Sequence, residues 1–266
     1  MALQFKNGKF RVLMIADTQE GTKVSSDTLN LINAALDRAQ PDFVIYSGDQ
    51  IWGKRKFKGN KDEVKRVLHE LCEPVILRKI PFAICFGNHD RQVGVSNSEQ
   101  FEIYKSFDYF IGESEDGIDG VGNQCLEIKD GDDVKYLIYL IDSHSNLKIG
   151  YDAVHENQFE WYKNTRDSYE KKLGMTVPSL VIQHIPVCEI FSLLTRVKRT
   201  KKGAVRGFRT HDGEYFVLNK SKVNDNAFMR ESPADPQVNT GEFDALKEKG
   251  EVKGLFFGHD HNNSFN

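Results

Sequence analysis

Seven side chains of metal-ligand type share one placement in this chain. Asp17 (with Gln19 beside it), Asp49, Asn88, His184, and the pair His259 and His261 each stand directly after an apolar run. Three of those runs close on a glycine: Phe43–Gly48 before Asp49, Phe82–Gly87 before Asn88, and Leu255–Gly258 before His259. Carboxylate, imidazole and amide donors without a thiolate suit Mn, Fe, Zn or Mg-type ions. A carboxylate such as Asp49 is able to bridge two ions about 3.5–4 Å apart, and such a pair clamps the attacking and leaving oxygens of an in-line displacement at phosphorus. His89 follows Asn88 and points away from it on an extended backbone, which frees it to protonate a leaving oxygen. His259 and His261 fall on one side of an extended chain.

Each residue alone has a plainer explanation. Gly48-Asp49 by itself is an ordinary turn, and His184 before Ile185-Pro186 reads equally well as a core histidine. Gly87-Asn88-His89-Asp90 and His259-Asp260-His261 are more specific. The ordered set is more specific again, because packing gives no reason for polar ligands to recur at successive strand ends. In open α/β folds, that carboxyl edge is where ligands bind.

The elements that position these residues follow from pattern. Phe10–Ala16 reads as a first strand. Ser25 and Ser26 are N-caps for a helix in which Leu29, Ile32, Leu36 and Ala39 recur at helical spacing, stopped by Pro41. Strand Phe43–Ser47 completes a βαβ unit, so the two strands are expected to be parallel. Lys54–Lys61 is a basic, glycine-containing loop, and Val64, Val67, Leu68 and Leu71 mark a second helix. Ser98–Phe107 is a short helix and Glu113–Gly122 an acidic loop. Strands Gln124–Ile128 and Val134–Ile141, joined through Asp130-Gly131-Asp132, make a hairpin. His155–Leu173 is a helix, Ser179–Gln183 a strand, and Gly241–Glu248 a short helix before the last strand. Arg196–Asn239 is read as a long, loop-rich insertion over the site, opening on a basic cluster at Arg196, Lys198, Arg199, Lys201 and Lys202.

Composition bounds the alternatives. Among 266 residues, 39% are hydrophobic, enough for a sizeable core, and one large α/β domain spanning 1–266 is expected. The net charge of −3 implies no general polyanion-binding role. The four cysteines are scattered, Cys85 and Cys188 in apolar surroundings that suggest buried thiols. That pattern, with no apolar leader in residues 1–10, suggests a reducing, cytoplasmic location. No run approaches the ~18 apolar residues that a membrane span requires.

The order D-x-(H/Q), G-D, G-N-H-D, H, G-H-D-H, running from Asp17 to His261, resembles the calcineurin-like metallophosphoesterases. Gly120–Asn123, His184-Ile185-Pro186 with Glu189, and Val252–His261 are most similar to the purple-acid-phosphatase-like branch. The resemblance implies an α/β fold of the four-layer αββα sandwich type and two divalent metal ions. By the same resemblance, Asp17, Asp49 and His261 hold the first ion, and Asp49, Asn88, His184 and His259 the second. His89 matches the histidine that protonates the leaving group or binds phosphate.

Two positions depart from the pattern. Gln19 replaces the usual first-motif histidine, which leans the site toward Mn or Mg and resembles a manganese-dependent diphosphatase branch. Trp52 stands where a purple acid phosphatase would place its iron-binding tyrosine, so tyrosinate–iron chemistry is not expected. The fold type also normally continues beyond its last histidine motif, so a C-terminal truncation is expected. The function implied is metal-dependent hydrolysis of a phosphate ester, a monoester ahead of a diester, in a small molecule or a phosphoprotein. A nuclease or nucleotide pyrophosphatase rests only on the basic loops, and a non-catalytic scaffold is the alternative of another class. No substrate-binding residue is legible.

Overall fold

The computed structural model describes residues 2–53 and 57–265. Part of the basic loop expected at Lys54–Lys61, namely Lys54, Arg55 and Lys56, lies outside the described residues.

Alternation along buried strands generates the architecture. In chain order the strands are β1 (Leu3–Gln4), β2 (Val12–Ile15), β3 (Phe43–Ser47), β4 (Phe82–Cys85), β5 (Gln124–Asp130), β6 (Asp133–Leu140), β7 (Ser179–Ile182), β8 (Leu194–Arg196), β9 (Val205–Arg206), β10 (Tyr215–Leu218), β11 (Phe228–Met229), β12 (Val252–Phe256) and β13 (Asn263–Ser264). The helices are α1 (Ser26–Ala39), α2 (Lys61–Leu77), α3 (Asn97–Lys105), α4 (Glu156–Leu173) and α5 (Glu242–Lys247). One sheet is β2-β3-β4, all parallel. The other runs β1-β5-β6-β7-β12, with β5 and β6 antiparallel and the remaining pairs parallel.

Successive side chains on a strand face opposite ways, so a strand buried on both sides feeds two cores. Val44 and Tyr46 of β3 enter a core with Ile32 and Leu36 of α1, Val64, Leu68 and Leu71 of α2, and Phe101 and Tyr104 of α3. Phe43 and Ile45 face the other way, onto Ile138 and Leu140 of β6 and Ile182 of β7. Leu137 and Tyr139 of β6 then face a third core with Phe159 and Tyr162 of α4 and Leu246 of α5. Three apolar layers between helix, sheet, sheet and helix are the αββα sandwich expected from the sequence.

Local chemistry fixes the helix ends. Ser25 caps α1 through Asp27 N at 3.2 Å. Asn60 and Glu63 form a reciprocal capping box on α2. The apolar residues 64–71 are thus the middle of a longer helix, which runs through the buried Pro74. The segment 196–239 is less irregular than its composition suggests. It contributes a small β8-β10-β9 sheet, and β11 pairs with β13. Cys188 is half-buried, unlike Cys72 and Cys85, and all four cysteines are free thiols. Among the described residues no helix is long and apolar enough to cross a membrane.

One ion network, buried at Arg166 and Glu251 and half-exposed at Asp167 and Glu248, ties α4 to the segment leading into the strand that delivers the last two histidines. Arg166 is 4% exposed and reaches Asp167 at 2.7 Å, Glu248 at 3.0 Å and Glu251 at 3.6 Å, and Glu251 also accepts from the Tyr162 hydroxyl. Truncating one partner of a buried pair strands the other charge. Arg166→Ala should therefore lower unfolding free energy by about 3 kcal/mol, measured by urea denaturation; a loss under ~0.5 kcal/mol would show the network to be solvated.

Candidate metal centre

The ladder between β2 and β3 does not stop where the strands do. Asp17 N donates to Gly48 O (3.0 Å), Gln19 N to Asp49 O (2.9 Å), Glu20 N to Gln50 O (3.0 Å) and Trp52 N to Glu20 O (2.9 Å). The two loops stay zipped while the chain turns sharply inside them. That turning is done by left-handed residues: Asp17 at φ 56°, Gln19 at 47° and Asp49 at 53°. His259, in the loop after β12, is also left-handed at 74°. Non-glycine residues adopt this region at a cost and cluster where function holds them.

This geometry corrects two premises of the sequence reading. His89 is not extended; at φ −96°, ψ −26° it caps a short 3₁₀ turn, Asp90–Val93. Nor are His259 and His261 side by side on an extended chain. The left-handed turn at His259 instead sends the two rings to different neighbours. His259 joins Asp49 and His184, whereas His261 joins Asp17 and Asp49, and within each triad the donor atoms lie within 4.8 Å of one another. Asp49 belongs to both.

The contacts are short. His184 Nε2 lies 3.3 Å from Asp49 Oδ2 and 3.8 Å from Asp17 Oδ1. His261 Nε2 lies 3.2 Å from Asp17 Oδ1. His184 Nδ1 is 3.0 Å from Ser47 O, which orients the ring and turns Nε2 to the centre. His89 donates its backbone N–H to Asp49 Oδ1 (2.7 Å), its Nε2 stands 3.9 Å from Asp49 Oδ2, and its ring lies 5.4 Å from that of Trp52. Gln19 turns Nε2 inward, 3.3 Å from Asp49 Oδ2 and 3.2 Å from His261 Nε2.

Buried polar atoms are normally hydrogen-bonded. Asp17 Oδ1, Asn88 Oδ1, His184 Nε2 and His259 Nε2 are buried here without a hydrogen-bond partner. Buried atoms of four ligand-type residues without a hydrogen-bond partner, gathered at one sheet edge, fit a site whose partner is an ion. The donor set of carboxylate, imidazole and amide oxygen fits divalent cations.

Electrostatics agree. Burial pushes the Asp49 carboxyl up, but the His184 and His89 charges outweigh it and hold the group well below the carboxylate range. For His184, burial pulls down and the Asp49 and Asp17 carboxylates raise the imidazole to about 10. Burial and the charge on His184 push His259 down to about 3. Without an ion the centre is thus held by a His184 imidazolium–Asp49 carboxylate pair.

Asp90 was quoted in the sequence motif without a role, and the structure supplies one. Its carboxylate accepts from Asp49 N (2.8 Å), Gly87 N (2.7 Å) and Ile51 N (3.1 Å), clamping the two loops together. Its signal was the third polar residue of the Gly87-Asn88-His89-Asp90 motif. Tyr151, whose ring lies edge-on to His259 at 4.4 Å, had no sequence signal.

The comparisons with known proteins agree with the fold. The calcineurin-like phosphoesterase family matches residues 10–263, so the chain belongs to that family. It is 28% identical over 229 residues to the Saccharomyces cerevisiae phosphatase DCR2, covering 75% of this chain and 38% of that protein. It is 26% identical over 299 residues to the probable inactive purple acid phosphatase 14 of Arabidopsis thaliana, covering 97% of this chain and 67% of that protein. The chain therefore spans well under half of one of these curated relatives and about two thirds of the other. The fold is shared with a crystallised dimetal phosphatase of Danio rerio, at TM-score 0.55 and 14% identity, over 95% of this chain and 82% of that one.

Two measurements check the arrangement. In metal-free protein, ¹⁵N imidazole shifts should report His184 doubly protonated through neutral pH and His259 neutral to about pH 3; ordinary titration of His184 near 6.5 would sink the ion pair. A Cβ at Gly87 would stand 2.2 Å from Asp49 Oδ1 and 2.4 Å from Asp49 N. Gly87→Ala should therefore fold but displace Asp49, with loss of metal stoichiometry in calorimetry.

Proposed function

We propose that this chain hydrolyses phosphate esters, monoesters in preference to diesters, with two divalent ions held by its strand-end ligands. The observation that supports this most is Asp49, common to two ligand triads and buried between them. In this reading Asp17, Asp49 and His261 hold one ion, and Asp49, Asn88, His184 and His259 the other. Gln19 completes the first set only with its amide reversed, Oε1 inward, a rotation that exchanges two nearly isosteric ends. A hard oxygen there in place of an imidazole favours Mn or Mg over Zn and Fe. Such a pair of ions supplies positive charge to the phosphoryl oxygens and lowers the pKa of water.

The chain's own residues do the rest. Asp90 and the glycines fix Asp49. Ser47 O fixes the His184 tautomer. His89, held to Asp49 through its backbone and faced by Trp52, carries an unpartnered Nδ1 and donates a proton to the leaving oxygen. We further read 1–266 as one catalytic unit, with 196–239 folded against the His259–His261 loop through Ala234 N–Asp260 Oδ1 (3.1 Å) and Glu231–Asn262 N (2.7 Å). The substrate is a small molecule or a phosphoprotein. Nucleic acid is less favoured: of the basic cluster, Arg196 is already paired with Glu214 at 2.8 Å. A non-catalytic scaffold is the second reading, supported by the similarity to the probable inactive purple acid phosphatase 14 of Arabidopsis thaliana.

The test is hydrolysis of p-nitrophenyl phosphate and bis-p-nitrophenyl phosphate by stripped protein with Mn, Mg, Zn or Fe restored. Metal-dependent turnover, faster on the monoester, is expected; folded, metal-loaded protein without turnover would support the scaffold. His89→Ala should lower kcat by about 10²–10⁴ with metal content retained, and metal loss would overturn its role. Asp49→Asn should impair both sites together. Because His184 carries a proton below about pH 10 and must shed it to ligate, metal affinity should rise with pH. Calorimetry in buffers of different ionisation enthalpy should register the released proton.

A further inference from the structure

Beside the metal centre lies a cleft of about 860 Å³ that the hydrolytic reading does not use, lined among others by Tyr151, Gly207, Arg209, Arg230, Ser232 and Asp260. It belongs largely to the segment 196–239. Its centrepiece is Arg209, on the 3₁₀ turn Arg209–His211. That turn is pinned on every side. Phe208 N donates to Ser232 Oγ (3.2 Å), Thr210 Oγ1 donates to Asp235 Oδ1 (3.0 Å), and His211 stacks on Phe191 at 3.7 Å while pairing with Asp235 at 3.5 Å.

Arg209 itself is left-handed, φ 45°, a conformation that non-glycine residues adopt at a cost. Its guanidinium lies 4.7 Å from the Tyr151 ring centre and 4.9 Å from that of Phe208. Tyr151 in turn sets its edge on His259. Arg209 is thus two ring contacts from a metal-ligand candidate, and its fork of N–H donors makes no hydrogen bond among the described residues.

The cleft's other charges are engaged except Arg230, which like Arg209 is held over a ring with no carboxylate partner among the described residues. Arg206 is paired with Asp212 at 2.8 Å, Glu231 accepts from Asn262, and Asp260 accepts from Ala234 N. Arg230 lies over Phe228 at 5.2 Å. Among the described residues Arg209 has no carboxylate partner. A rigidly presented, unpaired guanidinium opening on a cleft is built for bidentate recognition of phosphate or carboxylate.

We propose that Arg209, carried on Tyr151 beside His259, receives a second anionic group of the substrate, so that the site selects small organic phosphate esters bearing another phosphate or carboxylate. The proposal rests on the hydrolase reading for its chemistry, and the cleft supplies the substrate class. Tyr151 is the positioning residue that links the arginine to the centre.

The experiment compares fructose 6-phosphate with fructose 1,6-bisphosphate on the metal-loaded protein. Wild type should prefer the bisphosphate in kcat/KM. In Arg209→Gln the ratio of bisphosphate to monophosphate should fall about tenfold or more, the worth of one charge-assisted pair. Arg209→Lys should recover part of it, which a purely structural role would not predict. Thermal melting checks that the variants are folded. Equal losses on both substrates would overturn the proposal, since Arg209 would then serve the scissile phosphate or the fold. Absence of a wild-type preference would overturn it as well. If neither sugar phosphate is turned over, calorimetric binding of the same two compounds separates the two ideas. Arg209-dependent preference for the bisphosphate would uphold the cleft and equal binding would overturn it, while turnover of p-nitrophenyl phosphate decides the hydrolase reading separately.

Discussion

The molecule's centre depends on keeping one carboxylate, Asp49, ionised while 1% exposed. A buried carboxylate costs several kcal/mol unless charge and hydrogen bonds compensate. Here the compensation comes from three strand ends at once. The His89 backbone N–H comes from the end of β4, the His184 imidazole from the end of β7, and the conformation of Asp49 itself from the turn after β3. Asp90 then locks the β3 and β4 loops by accepting three backbone N–H groups. The charge is held across the interface between the two sheets, because β3 and β4 belong to one and β7 to the other.

That constraint explains where small residues are obligatory. A Cβ at Gly48 would stand 2.4 Å from His184 Nδ1, and one at Gly258 would stand 2.7 Å from Asp17 Oδ2. These glycines do more than let a chain turn: they admit a side chain from another strand into the space beside the backbone. The three apolar runs that end in glycine do so where a ligand from another strand passes close to the backbone: His184 at Gly48, Asp49 at Gly87 and Asp17 at Gly258. Strain at Asp17, Gln19, Asp49 and His259 is sustained by the surrounding ladder and by the three apolar layers that hold the sheets in place.

The far side of the site is built differently. Tyr151, the turn at Arg209 and the His259–His261 loop come from segments well separated in sequence, joined by ring contacts and a few backbone hydrogen bonds rather than by a strand ladder. Strand ends are suited to fixing ligands, where position within fractions of an ångström matters. Loops pinned to a scaffold are suited to discriminating substrates, where shape and charge must vary.

Much of the core was legible in the sequence because it repeats. Buried strands announce themselves as apolar runs, α1 by its Ser25 cap and helical spacing, the β5–β6 hairpin by Asp130-Gly131, and the ligands by their recurrence after those runs. The sequence by itself determined the order of the main strands and helices and the ligand types after the apolar runs, since these follow from local pattern and period, while the short strands β1, β8–β11 and β13 carry no such pattern. The grouping of the ligands about Asp49 was implied by the family resemblance and not by local pattern; only the tertiary structure decided the backbone conformations that bring the two triads together and part His259 from His261. Those outcomes depend on left-handed turns at Asp49 and His259 that the residue types do not advertise. Asp90 as a clamp, the inward Nε2 of Gln19, and the Tyr151–Arg209 cleft likewise needed three-dimensional contact. A hydrogen bond or ring contact between residues tens or hundreds apart leaves no period in the chain for sequence reading to detect.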